Sequence, residues 1–309
     1  MAKNKRIKSP ARGNKWILFT SVWMLVSVIA FTMLVLPSIT PELAGLAGSI
    51  NLKVMGLFVP SVLIYCWVTK EKPKIALGWQ PLNAKNTLMT ILITIAVFPM
   101  TFLAMNLLAF VFPWDLLMRI SAVREAGFPP LWLNVTPVII AAVFEELTFR
   151  GTFHHEYHGH KLGTSIAKTA LITGLFFGLI HTNWHQAIYA MALGILLTYM
   201  RYYTRSVIAP ILSHLLINVV AAILMPTNLF MDYVDNLWVL AGVSVMMLPL
   251  FLFCLKQFKN YYTATQPLHE ADSDAASESD ELATTKPKVL TWAFWVALGI
   301  WVAFILLLS

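Results

Sequence analysis

The sequence predicts an all-α fold, a polytopic transmembrane helical bundle of eight or nine spans. Three observations predict it. The first is composition: of 309 residues, 58% are hydrophobic and only 12% charged, where a soluble domain carries about 25% charged residues. Mean hydropathy is +0.71. The second is the recurrence of apolar runs near the ~20 residues that an α-helix needs to cross the hydrocarbon core. The third is the placement of the basic residues between those runs. The net charge of +7 does not point to nucleic acid, because no basic stripe interleaves with aromatics. The lipid bilayer is the expected partner instead. Cys66 and Cys254 both lie in apolar runs, so neither a disulfide nor metal-ligand spacing is expected.

In chain order, residues 1–15 form a basic N-terminus with Lys3, Lys5, Arg6, Lys8, Arg12 and Lys15. The run 16–36 follows. It is longer than the ~7–15-residue core of a signal peptide and ends near Pro37 and Pro41, so it reads as a retained helix. Runs 52–68 and 87–112 complete an N-terminal set of membrane helices within 16–130. Runs 131–150, 165–182, 184–203 and 206–225 make a helical core, 131–225. The tight turn His181–His185 makes the division between two of these the least certain. Run 237–255 is a further helix within 226–255. Residues 256–288 read as a hydrophilic linker. Its centre, 269–282, places Glu270, Asp272, Asp274, Glu278, Asp280 and Glu281 among Ser and Ala, a composition that predicts disorder. The last run, 289–308 within 289–309, has no interior polar group and reads as an added anchor.

The positive-inside rule supports this order. With the N-terminus cytoplasmic, all of the 22 basic residues except Lys53, Arg119 and Arg124 fall on the cytoplasmic side. The expected location is a multi-pass protein of the cell membrane. The sequence contains no internal repeat, phosphate loop or nucleotide fingerprint. It also lacks the matched broken helices that would mark a transporter using buried carboxylates as proton sites.

Three fragments inside these runs carry polar chemistry: Glu145-Glu146-Leu147-Thr148-Phe149-Arg150, Phe177-Gly178-Leu179-Ile180-His181, and His214-Leu215-Leu216-Ile217-Asn218. Ionisable groups are costly in lipid and usually face a bundle interior. Residues four apart share a helix face, so Glu146 and Arg150 are placed to pair. Glu145 lies about 100° away around the helix and is left as the candidate general base. The alternative is a charged cytoplasmic helix end reaching into water. His181 follows Phe177 on one face. It is either a packing histidine or, with a carboxylate, the holder of a water that attacks a substrate bond. His214 and Asn218 again share a face. They can act as two donors towards a developing oxyanion, worth ~3 kcal/mol each, or as interhelical polar glue, worth ~0.6 kcal/mol.

There is no Gly-x-Ser-x-Gly nucleophile motif. His155-Glu156-Tyr157-His158 has one residue too few for a zincin motif. With His154 and His160 it is expected to form an interfacial histidine loop capable of adventitious metal binding.

Glu-Glu-x-x-x-Arg, Phe-x-x-x-His and His-x-x-x-Asn, in this order on successive helices, resemble the CAAX protease and bacteriocin-processing family, also called the abortive-infection family. The resemblance covers about 131–225, and Phe149-Arg150-Gly151 adds to it. It implies an intramembrane glutamic endopeptidase with a polar chamber open to the cytoplasm and a peptide or membrane-protein substrate. Carried over by position, Glu145 and His181 would activate the water, His214 and Asn218 would form the oxyanion hole, and Glu146 and Arg150 would support the first group. No cofactor is expected; a zinc held by Glu145, His181 and His214 is a minority alternative. A non-proteolytic immunity or scaffold protein of the same fold is the other. Short loops and compact length look bacterial, where peptide maturation, signalling or bacteriocin self-immunity would be the setting.

One conflict arises. Straight, upright helices place His181 roughly 24 Å from the start of its span and Glu145 only about 8 Å from Arg150. To share a water, either the fifth helix tilts strongly or the fourth continues past Arg150.

Overall fold

The computed structural model describes residues 9–30, 33–34, 36–38, 59–111, 131–158, 164–182, 184–224, 236–274 and 288–308. Among these no strand occurs. The helices that position the candidate site are α1 (Pro10–Ala30), α2 (Val59–Thr69), α3 (Ala84–Ala109), α4 (Leu131–Glu146), α5 (Ile166–Leu179), α6 (Trp184–Thr204), α7 (Ile208–Leu224), α8 (Leu237–Asp274) and α9 (Trp292–Leu308). Among the described residues two stretches are long and apolar enough to cross a membrane, Ala84–Ala109 and Leu237–Thr265; Val59–Thr69, Ile166–Leu179, Ile208–Ala221 and Trp292–Leu307 are shorter apolar helices. This is an all-helical architecture consistent with a membrane bundle.

Local chemistry sets several helix starts. Pro10 opens α1, where its missing N–H costs nothing, so the helix takes in Arg12 and Lys15 from the basic N-terminus. Asn83 caps α3 by accepting the Asn86 N–H at 2.8 Å. Ser206 accepts the Ile208 N–H at 3.1 Å at the start of α7. Each cap satisfies a donor that the first turn would otherwise leave open.

α4 departs most from the expected span. It does not end at Arg150. It passes into a π-helical stretch, Leu147–Phe153, and then into His154–His158. Glu146 and His154, at the two joins, both keep right-handed helical dihedrals, so the axis is unbroken. The depth conflict is therefore met by a longer fourth helix. The expected histidine loop is corrected by the same finding. His154 and His155 are buried in the helix and Glu156 is fully buried. His155 Nε2 lies 2.8 Å from Glu71 Oε2, and His158 Nδ1 donates to the Thr164 carbonyl at 3.0 Å. His160 lies outside the described residues.

One further expectation is revised by packing. α8 does not stop at Leu255 but runs to Asp274, through the first part of the stretch expected to be a disordered linker. Phe258 is fully buried. The Tyr262 ring lies 4.4 Å from that of Tyr202, with the Arg205 guanidinium 4.6 Å above it. These contacts hold the helix beyond its apolar part. The remainder of the acidic centre, 275–282, lies outside the described residues. α9, the added anchor of the sequence reading, packs against α1 and α5. Trp301 is 2% exposed and donates to Ser21 Oγ at 2.9 Å. Asn14 donates to the Val289 carbonyl at 2.7 Å and to Thr291 Oγ1 at 3.0 Å. Phe294 meets Phe176 edge-on at 5.5 Å. The first and last helices thus close together over the core.

α5 and α6 approach closely. A Cβ on Gly178 would fall 2.3 Å from the Ala187 carbonyl oxygen, and one on Gly174 would fall 3.0 Å from that of Met191. Gly174-x-x-x-Gly178 is the small-residue pattern that lets helices approach closely where lipid supplies no hydrophobic drive. A hydroxyl pair, Thr173 with Thr198 at 2.9 Å, also links α5 to α6, and others link helices elsewhere: Thr94 with Ser213 at 2.8 Å and Thr20 with Ser61 at 3.1 Å. Both cysteines are free thiols.

Candidate active site

The site is assembled where the end of α4, the end of α5 and the middle of α7 meet. Glu145 and Glu146 close the α-helical part of α4, and Arg150 follows on the π-helical stretch. Glu146 and Arg150 are fully buried, Glu145 is 7% exposed and His214 5%. Such charges persist in an apolar interior only when they are paired and hydrogen-bonded.

Pairing is what the geometry provides. Arg150 Nη1 donates to Glu146 Oε1 at 2.9 Å, and Arg150 Nη2 donates to the Gly194 carbonyl on α6 at 2.7 Å. The guanidinium sits 4.4 Å over the Phe177 ring, a cation–π contact of the desolvated kind. Arg201 donates from Nε to the Arg150 carbonyl at 3.2 Å. That carbonyl belongs to the π-helical stretch, where the regular ladder is shifted. Gly194 leaves room for this packing, since a Cβ there would come 3.1 Å from both Arg150 Nη2 and the Phe177 ring.

Glu146 Oε1 has a second partner. His214 Nδ1 lies 2.9 Å from it. A carboxylate oxygen only accepts, so Nδ1 carries the proton and its direction is fixed. The other ring nitrogen, Nε2, then lies 4.0 Å from Glu145 Oε2. This is longer than a hydrogen bond, and one water could bridge the two atoms at ordinary bond lengths.

His181 is oriented by its own helix. Its Nδ1 lies 2.8 Å from the Phe177 carbonyl. A carbonyl only accepts, so Nδ1 is again the protonated nitrogen. In the neutral ring Nε2 is left as a lone-pair acceptor, the state that a general base needs. The Phe177 ring joins the two histidines, at 5.3 Å from His181 and 5.6 Å from His214, edge to face in both cases.

Glu145, Glu146, Arg150, Phe177, His181 and His214 therefore form one chain of contacts. Asn218 lies one turn beyond His214 on α7 and is half-buried; helical periodicity alone attaches it to the group. Sequence reasoning missed Gly194 and Arg201, which hold Arg150 from α6. Arg201 in an apolar run was the available signal. Gly194 had none, because its role depends on a contact 44 positions away in the chain.

Residues 127–220 match the type II CAAX prenyl endopeptidase Rce1-like family. The match agrees with the resemblance carried by the three motifs. It contains every residue of the contact chain and also Asn218, and it leaves α1 to α3, α8 and α9 outside. No curated protein and no solved structure gives a match. The Rce1-like segment and the apolar helices around it mark a membrane protein. Among the described residues no group of three His, Cys, Asp or Glu side chains converges closely enough to hold a metal ion.

Proposed function

We propose that the chain is an intramembrane endopeptidase of the CAAX type, using a water activated by buried carboxylate and imidazole. The observation that carries the reading is the Glu146-anchored His214 beside Glu145, within the Rce1-like segment. In this reading Glu145 takes the proton of the attacking water, with His181 Nε2 as the second acceptor. The scissile carbonyl becomes tetrahedral and its oxygen gains negative charge. His214 and the Asn218 amide donate to that oxygen.

His214 already donates from Nδ1 to Glu146. To donate to the oxyanion from Nε2 as well, the ring must be the doubly protonated imidazolium. Glu145, Glu146 and Arg150 together carry one net negative charge, which that imidazolium balances. The cation also strengthens the oxyanion contact, because a charged donor forms roughly twice as strong a bond as a neutral one. Proton return to the leaving amine completes the cycle through the carboxylic acid formed at Glu145. The substrate is a peptide or membrane protein reached from the cytoplasmic side. The chain is multi-pass with a cytoplasmic N-terminus, as the distribution of basic residues supports.

The test is cleavage of a peptide library by the purified, reconstituted protein, with products read by mass spectrometry. The wild type should cut, and Glu145→Gln should fold and cut at least ~10²-fold more slowly. A wild type that binds peptides without cutting any would favour the non-proteolytic scaffold instead.

A further inference from the structure

Away from the site, the segment between α2 and α3 forms an open groove of about 520 Å³, lined by Pro73, Lys74, Leu77, Trp79, Pro81 and Ile208. Its walls are apolar except for Lys74. We propose that this groove binds one anionic phospholipid, with an acyl chain along Leu77, Trp79 and Ile208 and the phosphate at Lys74.

Charge, depth and shape support this occupant. Lys70, Lys72, Lys74 and Lys85 are all exposed. The one carboxylate between positions 70 and 85, Glu71, is engaged by His155 at 2.8 Å. The segment therefore presents uncompensated positive charge, which attracts anionic lipid. Its depth is that of the headgroups, because α3, which is long and apolar enough to span a membrane, begins at Ala84. Trp79 and Ile75 are 44% and 56% exposed, and a half-exposed tryptophan beside lysines is typical of the membrane–water boundary.

The groove is also a built feature. Gly78 has φ of +66°, and the Arg201 guanidinium packs where its Cβ would be. The Gly78 carbonyl accepts the Val207 N–H at 2.9 Å, and Ser206 Oγ donates to the Gln80 carbonyl. Leu77 lies against Gly151 of the site helix. The groove wall is thus tied to the start of α7, less than two turns before His214, and to the π-helical stretch that carries Arg150. A lipid seated there braces both catalytic helices.

Native mass spectrometry of the full-length protein in detergent tests the proposal, with phosphatidylglycerol and phosphatidylcholine as probes. Phosphatidylglycerol should be retained several-fold better, one molecule per chain. Lys74→Gln, an exposed substitution, should abolish that preference. Lys259→Gln, exposed on α8 and off the groove, should leave it intact. Ile208→Phe, which narrows the groove, should reduce retention of both lipids. The proposal is overturned if Lys74→Gln keeps the preference, or if Lys259→Gln removes it equally, which would mean diffuse surface charge. It is also overturned if inorganic phosphate displaces the lipid, which would make the ligand a free anion. A peptide with a free C-terminal carboxylate that binds in a Lys74-dependent manner, while lipid retention is unchanged by Lys74→Gln, would assign the groove to substrate instead.

Discussion

Glu146→Gln separates the structural role of the buried carboxylate from its chemical one. The wild-type side chain is fully buried, and its Oε1 meets Arg150 Nη1 and His214 Nδ1, both at 2.9 Å. The amide preserves shape and can still accept one hydrogen bond, but its charge is gone and Arg150 is left buried without its counter-ion. Breaking a buried pair in this way costs about 3–5 kcal/mol; the retained amide oxygen places the expected loss near the lower end, about 3 kcal/mol. Peptide cleavage should fall with it, because His214 loses the acceptor that fixes its ring. The decisive comparison is the double variant Glu146→Leu with Arg150→Met. Replacing both members of a buried pair with apolar groups of similar volume is often neutral or stabilising, so thermal unfolding in detergent should recover to within about 1 kcal/mol of wild type or better. Cleavage should stay lost, since His214 still has no anchor. A double variant that recovers both stability and cleavage would refute the role given to Glu146. So would a Glu146→Gln variant with wild-type behaviour in both assays.

Other outcomes follow from the same contacts. Gly178→Ala places a methyl group 2.3 Å from the Ala187 carbonyl and should destabilise the protein by about 1–3 kcal/mol through overpacking, seen as a lower unfolding temperature. Phe177→Leu removes the ring beneath the Arg150 guanidinium and between the two histidines. It should cost about 2 kcal/mol of stability and reduce cleavage more than a comparable substitution at Phe294. Trp301→Phe deletes the buried bond to Ser21 and should cost about 1 kcal/mol with cleavage rates retained, as measured on the same reconstituted samples.

What could be read from the chain alone follows the reach of local periodicity. The Glu146–Arg150 pair is an i, i+4 relation on one helix, and the structure forms it. The helical class follows from apolar run length, which needs no tertiary information. The second partner of Glu146 lies 68 positions away, and nothing in either helix announces it. The same holds for the continuation of α4. The span read from the sequence ends at Arg150, and the burial of Phe149, Phe153 and Tyr157 in the core carries the helix onward. The extension of α8 rests on Tyr202 and Arg205 meeting Tyr262, residues contributed by distant parts of the chain. Gly174-x-x-x-Gly178 is a close-packing signal already present in the sequence, beside the Phe177 and His181 that carry the polar chemistry.

The central claim is that Glu145 and His214 act together on one reacting centre. A double-mutant cycle of Glu145→Gln and His214→Ala, measured as single-turnover peptide cleavage by folded protein, tests it most directly. Residues that act as a unit are grossly non-additive. The double variant should therefore be no slower than the worse single variant, each single loss lying in the ~10²–10⁴-fold range of acid–base catalysis. Losses that multiply would contradict the account by placing the two groups in independent steps.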